Sequence, residues 1–215
     1  ERFPDAAIDV LASHSNREIF QGNPHVRDVI VSDRNWHARG GGKQSTIGEV
    51  LRLARHLRPL DYDLGIDPRG DFLVVLMLWL AGIRRRLGWA CGGGGFLLTD
   101  VAGWDATRHE GESRRALLEL LEIRGIRFDP EVFPSWADSY SVREALAALP
   151  GLRSPLAVVH VSAGTKAKRW PESHFGELVH RLLRELVGTV IVVGDSADAP
   201  RGRQLARATG NVIDW

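Results

Sequence analysis

The sequence predicts an α/β fold built on parallel sheets, laid out in two blocks. Short β-branched runs alternate with longer stretches whose apolar residues recur at helical spacing, the pattern of βαβ units. The run Thr189–Val193 is near-continuously apolar, as expected of a strand buried on both faces. The alternation also stops and restarts, with a Pro- and acid-rich stretch between the two halves.

In the first block, residues 8–12 and 28–32 read as short strands flanked by turn residues. Residues 46–58 read as a helix. Thr46 and Glu49 form a capping box, and Ile47, Val50, Leu51, Ala54 and Leu57 share a face. A strand follows at 62–67, then a buried helix at 71–81 and a further strand at 83–88. Residues 112–124 form a helix with Ala116, Leu117, Leu120 and Leu121 inward. "CGGGG" (91–95) reads as a flexible loop, because no helix follows it closely enough to make it a phosphate cradle.

After Phe128 the pattern loosens into "FDPEVFPSWADS" and "LPGLRSP". Residues 1–134 are therefore assigned to one Rossmann-like domain and 135–154 to a linker with a short helix at 142–149. Residues 155–215 are assigned to the start of a second Rossmann-like domain. There, strands are expected at 156–161, 189–193 and from 211, with helices at 172–187 and 199–209. Phe175, Leu178, Val179, Leu182, Leu183 and Leu186 form the apolar stripe of the first of these helices.

Composition excludes several classes. A hydrophobic share of 44% with 26% charged residues is that of an ordinary globular protein. A net charge of +1 gives no footprint for nucleic acid, and one Cys (Cys91) rules out a disulfide framework. The longest apolar run, residues 72–81, is too short to span a bilayer. No two of the eight His stand at i, i+4 spacing, and no metal site is read.

One stretch carries chemistry: "HVSAGTKAKRWPESHF", residues 160–175. Only three Lys occur in the chain, Lys43, Lys166 and Lys168, and two of them are here, between a strand and a helix. A loop leaving the carboxyl end of a parallel strand and entering a helix is where α/β folds bind ligands. The helix N-terminus offers free N–H groups and partial positive charge. Gly164 allows close backbone approach, Ser162 and Thr165 supply hydroxyls, and Lys166 and Lys168 are compact cations suited to a diphosphate. Pro171 fits the first helical turn. The alternative reading is a solvated basic turn. Neither the G-x-x-x-x-G-K-[ST] nor the G-x-G-x-x-G spacing is present.

Several stretches in order resemble glycosyltransferase family 9, the ADP-heptose:lipopolysaccharide heptosyltransferases and their relatives. They are "RFPDAAIDVLA", "NPHVRDVIVSD", "LDYDLGIDPRGDFLVVLMLWLAGIRRRLGW", "RHEGESRRALLELLEIRGI", "HVSAGTKAKRWPESHFGELVHRL" and "VIVVGDSADAPRGRQLA". The K-R-W-P element is the most specific. The resemblance implies a GT-B-like fold of two Rossmann-like domains, both incomplete in this chain. It also implies inverting sugar transfer from a nucleotide-diphospho-sugar without an obligatory metal, so no cofactor is expected. Lys168 matches the family's diphosphate-holding Lys and Ser162 its hydroxyl residue. Asp198 matches an acidic residue near the donor ribose; the local alternative is a helix N-terminal Asp favoured by the dipole. The family's proposed base lies in an N-terminal strand–loop that this sequence does not contain, so no catalytic base is assigned. Asp67, at a strand end, matches a position used for architecture or acceptor contact.

On the acceptor side, residues 34–58 hold six Lys/Arg against the single acid Glu49. The resemblance makes Arg39, Lys43 and Arg69 the candidates for an anionic glycolipid or glycan acceptor, with a solvated basic face as the alternative. Such a patch also suits peripheral contact with an anionic inner leaflet. The expected location is cytoplasmic, peripheral to the inner face of the cell membrane. A non-catalytic Rossmann-type nucleotide- or anion-binding module is the alternative function. An NAD-dependent oxidoreductase is disfavoured by the missing glycine fingerprint.

Overall fold

The computed structural model describes residues 2–32, 47–125, 129–208 and 210–215. The chain divides into two compact units, Glu1–Pro134 and Ser135–Trp215.

In the first unit, β1 (Asp9–Ser13) pairs in parallel with β2 (Asp28–Ser32), Asp9 opposite Asp28 and Ser13 opposite Ser32. The four-residue α1 (Arg17–Phe20) lies between them in sequence. A second parallel sheet has the order β3 (Leu64–Ile66), β4 (Arg85–Trp89), β5 (Asp100–Ala102), with Leu87 opposite Asp100. Three longer helices complete the unit: α2 (Ile47–Leu57) leads from the first sheet to the second, α3 (Phe72–Leu80) makes the β3–β4 crossover, and α4 (Glu110–Glu119) follows β5.

The core of this unit forms where α2 meets α3. Val50, Leu53, Ala54 and Leu57 pack against Met77, Leu78, Ala81 and Ile83, and Leu11 and Ile30 rest on the same cluster. Leu53 takes the inward place expected of Ile47, which is 55% exposed at the helix start. The capping Thr46 lies outside the described residues. Helix α3 is apolar all round but not buried all round. Val75, Met77 and Leu78 are inside, while Phe72 and Trp79 stay open because the helix is covered on one side only. Trp89, 1% exposed, packs edge-on to Trp104 with ring centres 5.1 Å apart, beside Ala102 and Leu117. Helix α4 ends earlier than expected. Glu122 adopts φ +60°, which a continuing helix does not allow, although Leu121 is still buried.

The amino-terminal end of β1 is held by polar contacts. The Tyr62 hydroxyl donates to Asp9 Oδ2 at 2.5 Å, and Arg27 Nε donates to Asp9 Oδ1 at 2.9 Å. The guanidinium holds the Asp9 carboxyl below its usual range, and burial next to that carboxylate pushes the Tyr62 phenol up to about 12.

In the second unit, the parallel sheet has the order β6 (Leu156–His160), β7 (Thr189–Val193), β8 (Val212–Asp214). Leu156 stands opposite Thr189, and Val190 opposite Val212. Helices α6 (Glu172–Glu185) and α7 (Ala199–Ala208) make the crossovers. Val159, Val161, Val179, Val190 and Val192 form the core, with Phe175, Leu178, Leu182 and Leu183 from α6 packed on it. The expected stripe fails only at Leu186, which is 67% exposed. The chain leaves helical geometry there (φ −131°), and Val187 turns inward in its place.

Residues 135–154, expected to be a linker, belong to this second unit and carry α5 (Trp136–Ala147), longer and earlier than the expected helix. A capping box starts it. The Asp138 N–H donates to Ser135 Oγ at 3.0 Å, and the Ser135 N–H donates to Asp138 Oδ2 at 3.1 Å.

Candidate functional site

The carboxyl ends of β6 and β7 carry the candidate site. Val161 ends the first strand, 1% exposed, its N–H donating to the Val193 carbonyl at 3.1 Å. Residues 162–165 then leave the sheet, Lys166–Lys168 make one 3₁₀ turn, and the Lys168 N–H donates to the Thr165 carbonyl at 3.1 Å. Pro171 stands at the N-cap of α6 rather than inside its first turn. Its carbonyl accepts from the His174 N–H at 3.1 Å, and as a proline it leaves no donor unsatisfied there. Trp170 anchors the loop, meeting Phe175 edge-on at 5.2 Å and His174 at 5.3 Å. It packs on the start of α6 through these contacts while staying 47% exposed. Lys168 is exposed and Ser162 and Thr165 are half-buried. At Gly164 an added Cβ would meet nothing within 4 Å, so the fold itself does not demand glycine there.

Asp198 is brought to the same place. It precedes α7 and its side chain is only 3% exposed, yet it lines a cavity of about 260 Å³ with Val161, Gly194, Asp195, Gly202, Asp214 and Trp215 among the other walls. Its Oδ1 accepts from Arg201 Nη1 at 2.7 Å, one helical turn on. Arg201 Nε also donates to Glu172 Oε1 at 2.8 Å, so one guanidinium ties the first turn of α6 to that of α7. The Ser162 hydroxyl beside the carboxylate, then Arg201 and Arg169, hold the Asp198 carboxyl below its usual range against the opposing effect of burial. The carboxylate is therefore ionised at neutral pH.

Two polar atoms here are buried without a hydrogen-bond partner: Asp198 Oδ2, an acceptor, and Arg169 Nε, a donor. Buried polar groups in folded proteins are nearly always satisfied, and each exception calls for a reason. An orphan acceptor and an orphan donor at one strand-end edge suit a ligand that carries both hydroxyls and phosphate oxygens.

Sequence reasoning passed over Arg169, Arg201 and Asp214. An i, i+3 Asp–Arg pair at a helix start was a usable signal for Arg201. Arg169 lay next to the Lys already chosen, but the burial of its Nε is a tertiary fact.

The first-unit candidates separate. Asp67 is fully buried, its Oδ1 accepting from the Arg69 N–H at 3.0 Å and its Oδ2 from the Asp71 N–H at 2.8 Å. Burial pushes its pKa up, and both oxygens shape the turn into α3, so its role is architectural. Arg69 is exposed on that turn. Arg39 and Lys43 lie outside the described residues.

The "CGGGG" stretch is not the flexible loop expected. Residues 90–92 and 95–97 form two 3₁₀ turns seated on the Asp67 turn. A Cβ at Gly92 would fall 1.8 Å from the Gly70 carbonyl oxygen, and Gly70 itself holds φ +71°. Glycine is needed at both positions for backbone to lie on backbone. Among the described residues, no group of three or more His, Cys, Asp or Glu could hold a metal ion, and no helix is long and apolar enough to cross a membrane.

Comparison with known proteins agrees with this architecture. Lipopolysaccharide heptosyltransferase 2 of Escherichia coli (strain K12) is 27% identical over 216 residues, 96% of this chain and 60% of the relative. Lipopolysaccharide heptosyltransferase 3 of the same organism is 26% identical, over 92% of this chain and 57% of the relative. The chain thus spans about three fifths of the length of the curated relatives it matches. The solved E. coli ADP-heptose LPS heptosyltransferase II superposes with a TM-score of 0.72 at 25% identity, covering 97% of this chain and 61% of that one. A glycosyl transferase family 9 protein of Veillonella parvula gives 0.74 at 16% identity, covering 96% and 59%, a likeness of fold. The sheets and crossovers above are those of the Rossmann-like units of GT-B proteins. The profile of glycosyltransferase family 9 (heptosyltransferase) matches residues 50–212, most of both units, and the chain belongs to that family.

Proposed function

We propose that the protein transfers a heptose-like sugar, with inversion, from a nucleotide-diphospho-sugar to a lipopolysaccharide-core or related glycan acceptor. The observation that carries this is the pair of orphans at one strand-end edge, Asp198 Oδ2 and Arg169 Nε, beside the Lys-bearing loop. Family membership and the heptosyltransferase relatives set the reaction class.

The residues take the following roles. Ser162, Gly164, Thr165, Lys166 and Lys168 hold the donor diphosphate, the glycine by leaving its backbone open to approach. Asp198 accepts from a ribose hydroxyl through its free oxygen. In the transfer, an acceptor hydroxyl loses its proton to a base and attacks the anomeric carbon. The bond from that carbon to the diphosphate oxygen breaks, and the nucleoside diphosphate leaves with the electron pair. Cations fixed at the diphosphate meet the charge that grows on this leaving group, which lowers the barrier. No metal or cofactor is assigned to the reaction. No base is assigned either, and Asp67 is not a candidate because both its oxygens are committed to backbone N–H groups. Arg39, Lys43 and Arg69 are assigned to the anionic acceptor, and peripheral contact with the cytoplasmic face of the membrane goes with that substrate.

The test is calorimetric titration of the protein with ADP and other nucleoside diphosphates. A charge-assisted contact is worth about 1.5–3 kcal/mol, so Lys168→Ala should weaken the best-binding nucleotide at least about tenfold. Unchanged affinity in that variant would remove the diphosphate assignment. Nucleotide release from a panel of donor sugars in the presence of acceptor then tests the reaction itself.

A further inference from the structure

We infer that Asp214 reads the nucleobase of the donor, accepting a hydrogen bond from an exocyclic amine and selecting against a base edge that offers carbonyl groups in that place. The inference deepens the proposed function and rests on it.

The geometry runs along the sheet edge. Strands β6, β7 and β8 are adjacent and parallel, so their carboxyl ends stand side by side, about 4.8 Å apart. In order they present the 162–168 loop, then Asp198, then Asp214. Phosphate, ribose and base follow one another along a nucleotide at comparable steps. With the diphosphate on the loop and a ribose hydroxyl on Asp198, the base lies over the end of β8, where Asp214 and Trp215 wall the cavity. The buried, unpartnered Asp198 Oδ2 fixes the middle of this alignment independently of Asp214.

The Asp214 carboxylate is seated on α7. A Cβ at Gly202 would fall 1.9 Å from Asp214 Oδ1 and 2.7 Å from its Cγ, so the helix leaves room for the carboxylate only because residue 202 is glycine. An ionised carboxylate accepts and never donates. Adenine, guanine and cytosine each carry an amine it can bind. Uracil carries carbonyl oxygens flanking its one ring N–H, and these a carboxylate repels.

The experiment measures dissociation constants of ADP, GDP, CDP and UDP for the protein. The tightest binder is also compared with its amine-free counterpart: purine riboside diphosphate for ADP, inosine diphosphate for GDP, UDP for CDP. The protein should prefer the amine-bearing nucleotide about tenfold or more. Asp214→Ala should bring that ratio within about twofold, and Gly202→Ala, which keeps the acid but displaces it, should lower the ratio too. A ratio near one in the unmodified protein, or a tenfold ratio that survives Asp214→Ala, overturns the inference. Lys168→Ala separates the two claims. It should weaken all four nucleotides alike, leaving the ratio intact. If Lys168→Ala binds as the parent while Asp214→Ala loses the ratio, the diphosphate assignment fails and the base assignment stands. If no nucleotide binds, both fail.

Discussion

Gly92→Ala is the substitution whose cost the structure fixes most directly. The new Cβ would lie 1.8 Å from the Gly70 carbonyl oxygen and 2.9 Å from its carbon. Backbone is on the far side of the contact, so no side chain can rotate away to relieve it. Forcing an extra methyl into such a place costs about 1–3 kcal/mol. The Gly70 turn is also held by the two hydrogen bonds of Asp67, and moving it loses about 1 kcal/mol for each one broken. Together these give about 3–5 kcal/mol, which for a unit of this size lowers the melting temperature by roughly 10–20 °C. Gly164→Ala is the matched control. Its Cβ meets nothing within 4 Å, so the variant should melt within about 2 °C of the parent. Thermal unfolding of the three proteins by circular dichroism, scanned at one rate, is the assay. A Gly92→Ala protein that melts with the parent would refute the packed-loop account and return "CGGGG" to the flexible loop its composition suggests.

Other outcomes follow from features already described. Tyr62 has a folded-state pKa of about 12, above the ordinary phenol value of 10, so its neutral form is favoured in the folded state. That contribution is complete below pH 10 and is lost as pH rises through about 12. Urea midpoints should therefore fall over that interval, and Tyr62→Phe should flatten the fall while lowering stability at pH 7; an unchanged alkaline slope contradicts the assignment. Ser135→Ala removes a reciprocal cap and should cost about 1 kcal/mol, read as a lower urea midpoint with unchanged slope. Leu117→Ala empties a site that is 2% exposed against Trp89 and Ala102, and should cost about 3 kcal/mol by the same measurement.

Much of the fold was legible because periodicity records which side of an element is covered. Strand β7 could be read from its unbroken apolar run, covered on both faces, and the stripe on α6 from its spacing, covered on one. Helix α5 was placed late and short. It has no buried residue, so it carries no stripe to read, and the Ser135–Asp138 cap was its only local sign. Helix α3 was read as buried because it is apolar on every side, yet Trp79 is 49% exposed; composition states what could be covered, not what is. Within the site, Ser162, Lys168 and Asp198 could be chosen from residue type and place in a strand–loop–helix. The orphaned Arg169 Nε, the Arg201 tie between two helices and the Asp214 seat on Gly202 depend on how α7 lies against the sheet. No spacing in the chain encodes that contact. Nor could the glycine run be told from a mobile loop without knowing that Gly70 faces it.

The parallel registers also bear on how the chain reaches its structure. Every strand pair must close a crossover before it forms one ladder bond. Leu87 meets Asp100 across 13 residues, whereas Leu156 meets Thr189 across 33. The longer closure costs about 0.8 kcal/mol more in chain entropy. Among the described strand pairs, β4–β5, next to the Trp89 cluster, therefore has the shortest closure and β6–β7 the longest, which α6 shortens once it forms. The edge that holds the orphaned donor and acceptor is thus built on the strand pair with the most chain to close, and its formation is coupled to that of α6.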